Sequence, residues 1–126
     1  MGAWSHEFNA NDDAADWLAD FEDTPSWANV AEALDLDDDY IEVDVASCAI
    51  AAAELVAAGL GKAHGKLSPE IGEWVAANSD GAADLKDKAQ AAVAAVLNGS
   101  ELQELWDEAE DADWRDEIGN LQTRLN

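Results

Sequence analysis

The sequence predicts an all-α protein, a compact single-domain bundle of about six helices around a central alanine-rich buried helix. Three observations support this prediction. The stretch VASCAIAAAELVAAGL, from Val45 to Leu60, carries one charge, Glu54. Segments on both sides of it repeat apolar residues at the spacing of one helix face. No stretch shows the alternation of a β-strand over a useful length. A length of 126 residues fits one helical domain over residues 1–126.

The central stretch predicts a core helix and not a membrane span. As a helix it would be roughly 24 Å long, which is shorter than the ~30 Å hydrocarbon core of a bilayer. It also carries the Glu54 carboxylate in its middle. Cys48 lies in the same apolar stretch and is expected to be a small buried hydrophobe. Gly59 and Gly61 are expected to end the helix.

The remaining helices follow from capping residues and apolar spacing. Four of the five predicted starts have a capping residue, and two of these also have a proline at the first helical position. The fifth helix follows a turn at Asp80-Gly81. We predict the first helix over Asp12–Glu22, the second after Thr24-Pro25, the fourth after Ser68-Pro69, the fifth over Ala82–Leu97, and the sixth from Ser100 towards Leu125.

The charge is extreme: 29 acidic residues stand against six Lys and Arg, for a net charge of -23. Direct binding to nucleic acid or to an anionic membrane is not expected, since both need a basic face. Two interpretations stay open. The acids form a solvated coat of the kind that suits high salt, a halophilic adaptation, or they dock a basic partner or imitate nucleic acid. The coat is favoured because the acids lie on the polar face of every predicted helix.

The compartment is predicted from the single cysteine and the N-terminal residues. One cysteine excludes an internal disulfide. The N-terminal residues MGAWSHEF have neither the basic region nor the apolar region of a signal peptide. We therefore expect a cytoplasmic protein.

The known motifs for metal, phosphate and catalytic chemistry do not match. A calcium loop starting at Asp35 would need Gly at its sixth position and Glu at its twelfth, where Tyr40 and Ala46 stand. The loop GLGKAHGK lacks the phosphate-loop spacing. His6 and His64 have no second ligand at zinc spacing. We expect no catalytic residue, no metal site and no cofactor, and hence no enzyme.

Glu54 is the one residue with unusual surroundings. A carboxylate in an apolar helix must be hydrogen-bonded or protonated. A perturbed acid in a core can be catalytic, but no convergent base or second acid is visible in the sequence. We therefore favour a structural role for Glu54 over a catalytic one.

Three segments in this order carry a family resemblance. They are MGAW with Phe8 and NDDAADWLADF, then AIAAAELVAAGLG, then SELQELWDEAEDADWRDEIGNLQTRL. The chain resembles the small bacterial and archaeal family filed as domain of unknown function 4259, although Ser5-His6-Glu7 stand where the family carries glycines. The resemblance implies a compact helical domain and no particular activity. The matching positions are Gly2, Ala3, Trp4, Phe8, Asn11, Asp12, Ala14, Asp16, Trp17, Glu54, Ser100, Glu101, Leu102, Leu105, Trp106, Trp114, Leu121, Arg124 and Leu125.

Four of these matching positions are candidate structural or functional polar residues: Trp4, Asp16, Glu54 and Arg124. Our hypothesis is that Glu54, alone or with Asp16, holds the N-terminal arm against the central helix. We further expect Arg124 to pair with an acid and so to close the last helix.

These observations favour a non-enzymatic interaction or structural domain, of inhibitor or immunity type, that binds a basic partner. The alternative is a small enzyme or ligand binder that uses Glu54 and Asp16 in a core pocket. A nucleic-acid mimic is a third possibility, and it would require carboxylates spaced along one face like phosphates.

Overall fold

The computed structural model describes residues 12–36, 41–62, 69–99, 104 and 112–125. This part of the chain contains six helices, and the all-α prediction is confirmed. The helices are α1 (Asp12–Asp23), α2 (Trp27–Leu34), α3 (Val43–Gly59), α4 (Pro69–Ala77), α5 (Asp80–Gly99) and α6 (Ala112–Leu125). The predicted capping residues Ser68 and Ser100 lie outside the described residues.

Helix α3 is the axis of the bundle, as the sequence predicts. It contacts each of the other five described helices. Every residue from Ala49 to Ala57 is buried, as expected for a helix that is apolar on almost all sides. The alanines in this stretch have small side chains, so the surrounding helices approach the α3 backbone closely. The described core is therefore organised around one helix.

The start of α2 differs from the prediction. The expected cap was Thr24 with Pro25 at the first helical position, but the N-cap is Ser26 and the helix begins at Trp27. The Ser26 hydroxyl accepts a hydrogen bond from the backbone N–H of Ala28 at 3.1 Å, as an N-cap does. Ser26 makes this bond from an extended backbone conformation, so Pro25 precedes the helix and does not open it.

The C-terminus of α3 is a Schellman motif, and Gly61 is the residue that permits it. Gly61 has φ of 86°, in the left-handed region that side chains disfavour. The Gly61 N–H donates to the Ala58 carbonyl at 3.0 Å, and the Lys62 N–H donates to the Ala57 carbonyl at 2.9 Å. The prediction that Gly61 ends this helix is confirmed, and the motif sets the position of the Lys62 carbonyl.

Replacing Gly61 with alanine should therefore destabilise the protein by about 1–2 kcal/mol, because the methyl group disfavours this φ. Gly61→Asn is the matched control and should cost less, since asparagine tolerates the left-handed region. Urea unfolding of both variants measures the difference as a shift in midpoint at constant slope. Equal stability of Gly61→Ala and the wild type would contradict the assignment.

Two other glycines allow helices to touch. A Cβ atom at Gly59 would collide with the Cβ of Ala82 on α5, and one at Gly81 would collide with the indole of Trp27. Gly59 is the last residue of α3. Its close contact with Ala82 means that this glycine also permits the packing of α5 on α3. The beginning of α5 thus lies directly against the end of α3 and against α2.

A chain of aromatic rings connects three of the outer helices. Trp17 stacks on Phe21 with ring centroids 5.7 Å apart. Phe21 meets Trp74 edge to face at 5.3 Å, and Trp74 lies 5.2 Å from Trp27. The Trp27 indole N–H donates to the Asn78 carbonyl at 2.7 Å. The rings join α1, α4 and α2.

Candidate functional site

Glu54 forms a bidentate ion pair with Arg124. Its side chain is 2% exposed and that of Arg124 is 14% exposed. Arg124 Nη1 donates to Glu54 Oε1 at 2.6 Å, and Nη2 donates to Oε2 at 3.0 Å. Two parallel N–H···O bonds are the strongest geometry that an arginine and a carboxylate can adopt. Both carboxylate oxygens of Glu54 are therefore engaged.

Arg124 also contacts two other elements of the structure. Its Nε donates to the Asn120 side-chain oxygen at 2.6 Å, one turn earlier in α6. Its Nη1 donates to the Lys62 carbonyl at 3.3 Å, at the last residue of the Schellman motif. Among the described residues, every buried side-chain nitrogen and oxygen has a hydrogen-bond partner. Arg124 thus joins α6 to the middle of α3 and to Lys62, three residues after the end of α3.

These contacts bear on the hypotheses about the four candidate residues. Arg124 does pair with an acid, and that acid is Glu54. Trp4 and the N-terminal arm lie outside the described residues, so the predicted contact between Glu54 and the arm stays a prediction. Asp16 is exposed on α1 and lines a groove to which Glu54 does not contribute. The structure therefore brings together Glu54 and Arg124, and it places Asp16 at a separate feature.

That feature is a groove between α1 and α2, with the beginning of α3 at its base. We call it the acidic groove. Its volume is about 590 Å³, and it is lined by Asp16, Trp17, Asp20, Phe21, Asn29, Glu32, Ala33, Asp35, Val45 and Cys48.

The lining of the acidic groove divides into an apolar base and an acidic border. Trp17 is half-buried. Val45 is 43% exposed, and among the described residues it is the large hydrophobic side chain that is exposed. All four acids in the groove are exposed, two from α1 and two from α2 and its C-cap. Asp35 lies 3.6 Å from Lys88 of α5. The groove therefore offers apolar contact area and negative charge at the same place.

Cys48 is half-buried in this groove, so the prediction of a buried cysteine is wrong. The face of α3 that carries Val45 and Cys48 is directed between α1 and α2, and those two helices leave it partly uncovered. The preceding residue, Ser47, is buried instead, at 2% exposure.

The groove itself was not predicted from the sequence. One signal for it was present, because Asp16 and Asp20 form an acidic stripe beside the apolar face of α1 that carries Trp17 and Phe21. The sequence does not indicate that α2 lies far enough away to leave a gap above Val45.

The described residues contain no group of three or more His, Cys, Asp or Glu side chains arranged to hold a metal ion. Within the same part of the chain, no helix is both long enough and apolar enough to cross a membrane.

Comparison with known proteins identifies the family. No curated protein and no solved structure matches the chain. One family model, described as "Domain of unknown function (DUF4259)", matches residues 2–117. The match includes Asp16 and Glu54 and ends before Arg124. It confirms the resemblance and covers most of the sequence, and the chain therefore belongs to this family of unknown function.

Proposed function

We propose that the protein is a non-enzymatic interaction domain that binds a basic partner protein through the acidic groove. The observation that carries the proposal is the border of four exposed carboxylates around an apolar base. An exposed apolar patch with a polar border is typical of a protein-binding surface. A domain that inhibits or neutralises a basic protein in the cytoplasm would use such a surface.

The charge of the whole chain supports the same proposal. A net charge of -23 attracts a cationic protein over distances of about 10 Å at moderate ionic strength. Such attraction raises association rates and fails as salt is added.

The position of Glu54 favours this proposal over an enzyme that uses Glu54 and Asp16 together. Arg124 occupies both oxygens of Glu54, and the side chain is 2% exposed. A general acid or base must reach the proton that it transfers, directly or through one water molecule. Asp16 lines the groove and Glu54 does not, which favours an interaction surface over a catalytic pair of these two acids.

The experiment is an affinity capture with three versions of the protein as bait. The wild type is compared with a groove variant, Asp16→Asn/Asp20→Asn/Glu32→Gln. The control variant, Asp84→Asn/Asp87→Asn/Asp116→Asn, removes the same number of exposed charges elsewhere; its positions lie on α5 and α6.

We expect the wild type and the control variant to retain the same basic protein at low salt and to release it as salt rises, while the groove variant does not retain it. Mass spectrometry identifies the retained protein. Equal retention by all three baits would contradict a role for the groove, and the absence of a basic protein would contradict the proposal as a whole.

Salt adaptation is a second explanation for the charge, supported by exposed acids on α1, α2, α4, α5 and α6. If the coat is an adaptation to high salt, the melting temperature should rise from low to multimolar KCl, because screening removes the repulsion between like charges. Thermal unfolding by circular dichroism across this range measures the effect. Equal stability at both extremes would count against a halophilic role.

A further inference from the structure

We propose that the acidic groove binds a basic amphipathic α-helix of the partner, with the apolar stripe of that helix on Trp17 and Val45 and its lysines or arginines along both walls. This inference rests on the proposed function and adds the form of the partner to it.

The base of the groove accepts apolar side chains. Trp17 and Phe21 come from α1, Ala33 comes from α2, and Val45 and Cys48 come from α3. A volume of about 590 Å³ is large enough for several side chains of a ligand, and not only for one. A ligand that fills it must therefore present a row of apolar residues.

The walls of the groove select the charge and its spacing. Asp16 and Asp20 lie one turn apart on α1, and Glu32 and Asp35 lie on the opposite wall. Four residues of a helix cover about 6 Å along its axis. In a ligand helix, cations at positions i and i+4 are separated by the same distance as Asp16 and Asp20. Such cations can therefore pair with the two carboxylates of α1. An apolar stripe with cations on both sides meets both walls at once.

The secondary structure of the walls favours a helical ligand over an extended one. An extended segment binds well when it adds to the open edge of a sheet, because its own N–H and C=O groups find partners there. The groove is built from α1, α2 and α3, whose backbone groups are bonded within each helix apart from their ends. An extended ligand would have its own N–H and C=O groups unpaired in the groove, whereas a helix bonds these groups internally.

A second copy of this chain is a poor occupant of the groove. The 29 acidic residues exceed the six Lys and Arg, and each copy would bring further carboxylates to a border that already holds four. Like charges placed opposite each other at an interface are repulsive. Charge complementarity therefore indicates a basic partner.

The test uses two synthetic peptides of leucine and lysine with the same composition and charge. In the first, leucine recurs with helical periodicity and forms one apolar face; in the second, the order is scrambled so that no face is apolar. Binding is measured by titration calorimetry. Occupancy of the groove is read from the reaction of Cys48 with a thiol reagent, since Cys48 is the single cysteine of the chain and lines the groove.

We expect the amphipathic peptide to bind more tightly than the scrambled one and to slow the reaction of Cys48. The groove variant should weaken this binding by about tenfold, as expected for the loss of three exposed ion pairs. The control variant Asp84→Asn/Asp87→Asn/Asp116→Asn should retain the wild-type affinity. Circular dichroism checks that both variants stay folded.

Three outcomes would overturn the inference. Equal binding of both peptides, with equal weakening by both variants, would indicate attraction to the whole surface and not to the groove; the affinity capture then decides separately whether a natural basic partner uses the groove. Absence of binding by the amphipathic peptide would remove the helix as occupant, while the affinity capture decides the proposed function separately. A Cys48 thiol that does not react in the free, full-length protein would show that the chain itself covers the groove.

Discussion

Replacing Glu54 with alanine should lower the free energy of unfolding by about 3–5 kcal/mol, because it leaves the Arg124 guanidinium without its main partner in a largely buried place. For a protein of this size, the melting temperature should fall by roughly 10–20 °C. The side chains are 2% and 14% exposed, so water can replace little of the lost interaction. Thermal and urea unfolding of the purified variant measure the effect.

Two further variants test whether the effect belongs to the pair. Glu54→Leu/Arg124→Met removes both charges and should recover most of the lost stability, since a buried pair costs desolvation that apolar residues do not. Lys88→Ala breaks an exposed pair with Asp35, 3.6 Å apart, and should cost less than about 1 kcal/mol. An unchanged melting temperature in Glu54→Ala would show that the ion pair does not stabilise the fold.

The second large effect is expected at the close contact between α5 and its neighbours. Gly81→Ala should destabilise the protein by about 1–3 kcal/mol, because the new methyl group overlaps the Trp27 indole. The ring cannot move aside freely, since it donates a hydrogen bond to Asn78 and packs against Trp74. Gly59→Ala should cost a similar amount, because its methyl group meets Ala82 Cβ, which moves only with the α5 backbone.

Gly72→Ala is the matched control for both glycine variants. Gly72 lies within α4, and a Cβ there would meet no atom within 4 Å. This substitution should stabilise the protein by about 0.5–1 kcal/mol, because alanine has less backbone freedom to lose than glycine. The urea midpoint should therefore fall for Gly81→Ala and Gly59→Ala and rise for Gly72→Ala. A gain in stability from Gly81→Ala would contradict the packing described for Trp27.

Local signals in the sequence predicted the helices and the axis of the bundle. The alanine run around Glu54 predicted a helix buried on all sides, and the position of Gly61 predicted where it ends. Both follow from interactions within a few residues along the chain. The start of α2 also depends on local contacts, but two residues there can cap a helix. Thr24 was expected to be the N-cap, whereas Ser26 is the N-cap and accepts the bond from the Ala28 N–H.

The candidate sites depend on contacts that no local pattern specifies. Glu54 was expected to need a donor and Arg124 an acid, yet the two residues are 70 positions apart, and nothing in their spacing joins them. The acidic groove depends on how far apart α1 and α2 lie on α3. That distance is decided by side-chain packing across the bundle, and the exposure of Cys48 follows from it.

The place of α3 has a consequence for how the protein opens. Since α3 contacts all five other described helices, the loss of any one of them uncovers only part of it. Amide hydrogens between Ala49 and Ala57 should therefore exchange with solvent only when the whole bundle unfolds, whereas an outer helix such as α1 can exchange through local opening. The amides of α3 should thus show the strongest protection from exchange in the protein. The α1 wall of the acidic groove can open locally while α3 stays folded and buried.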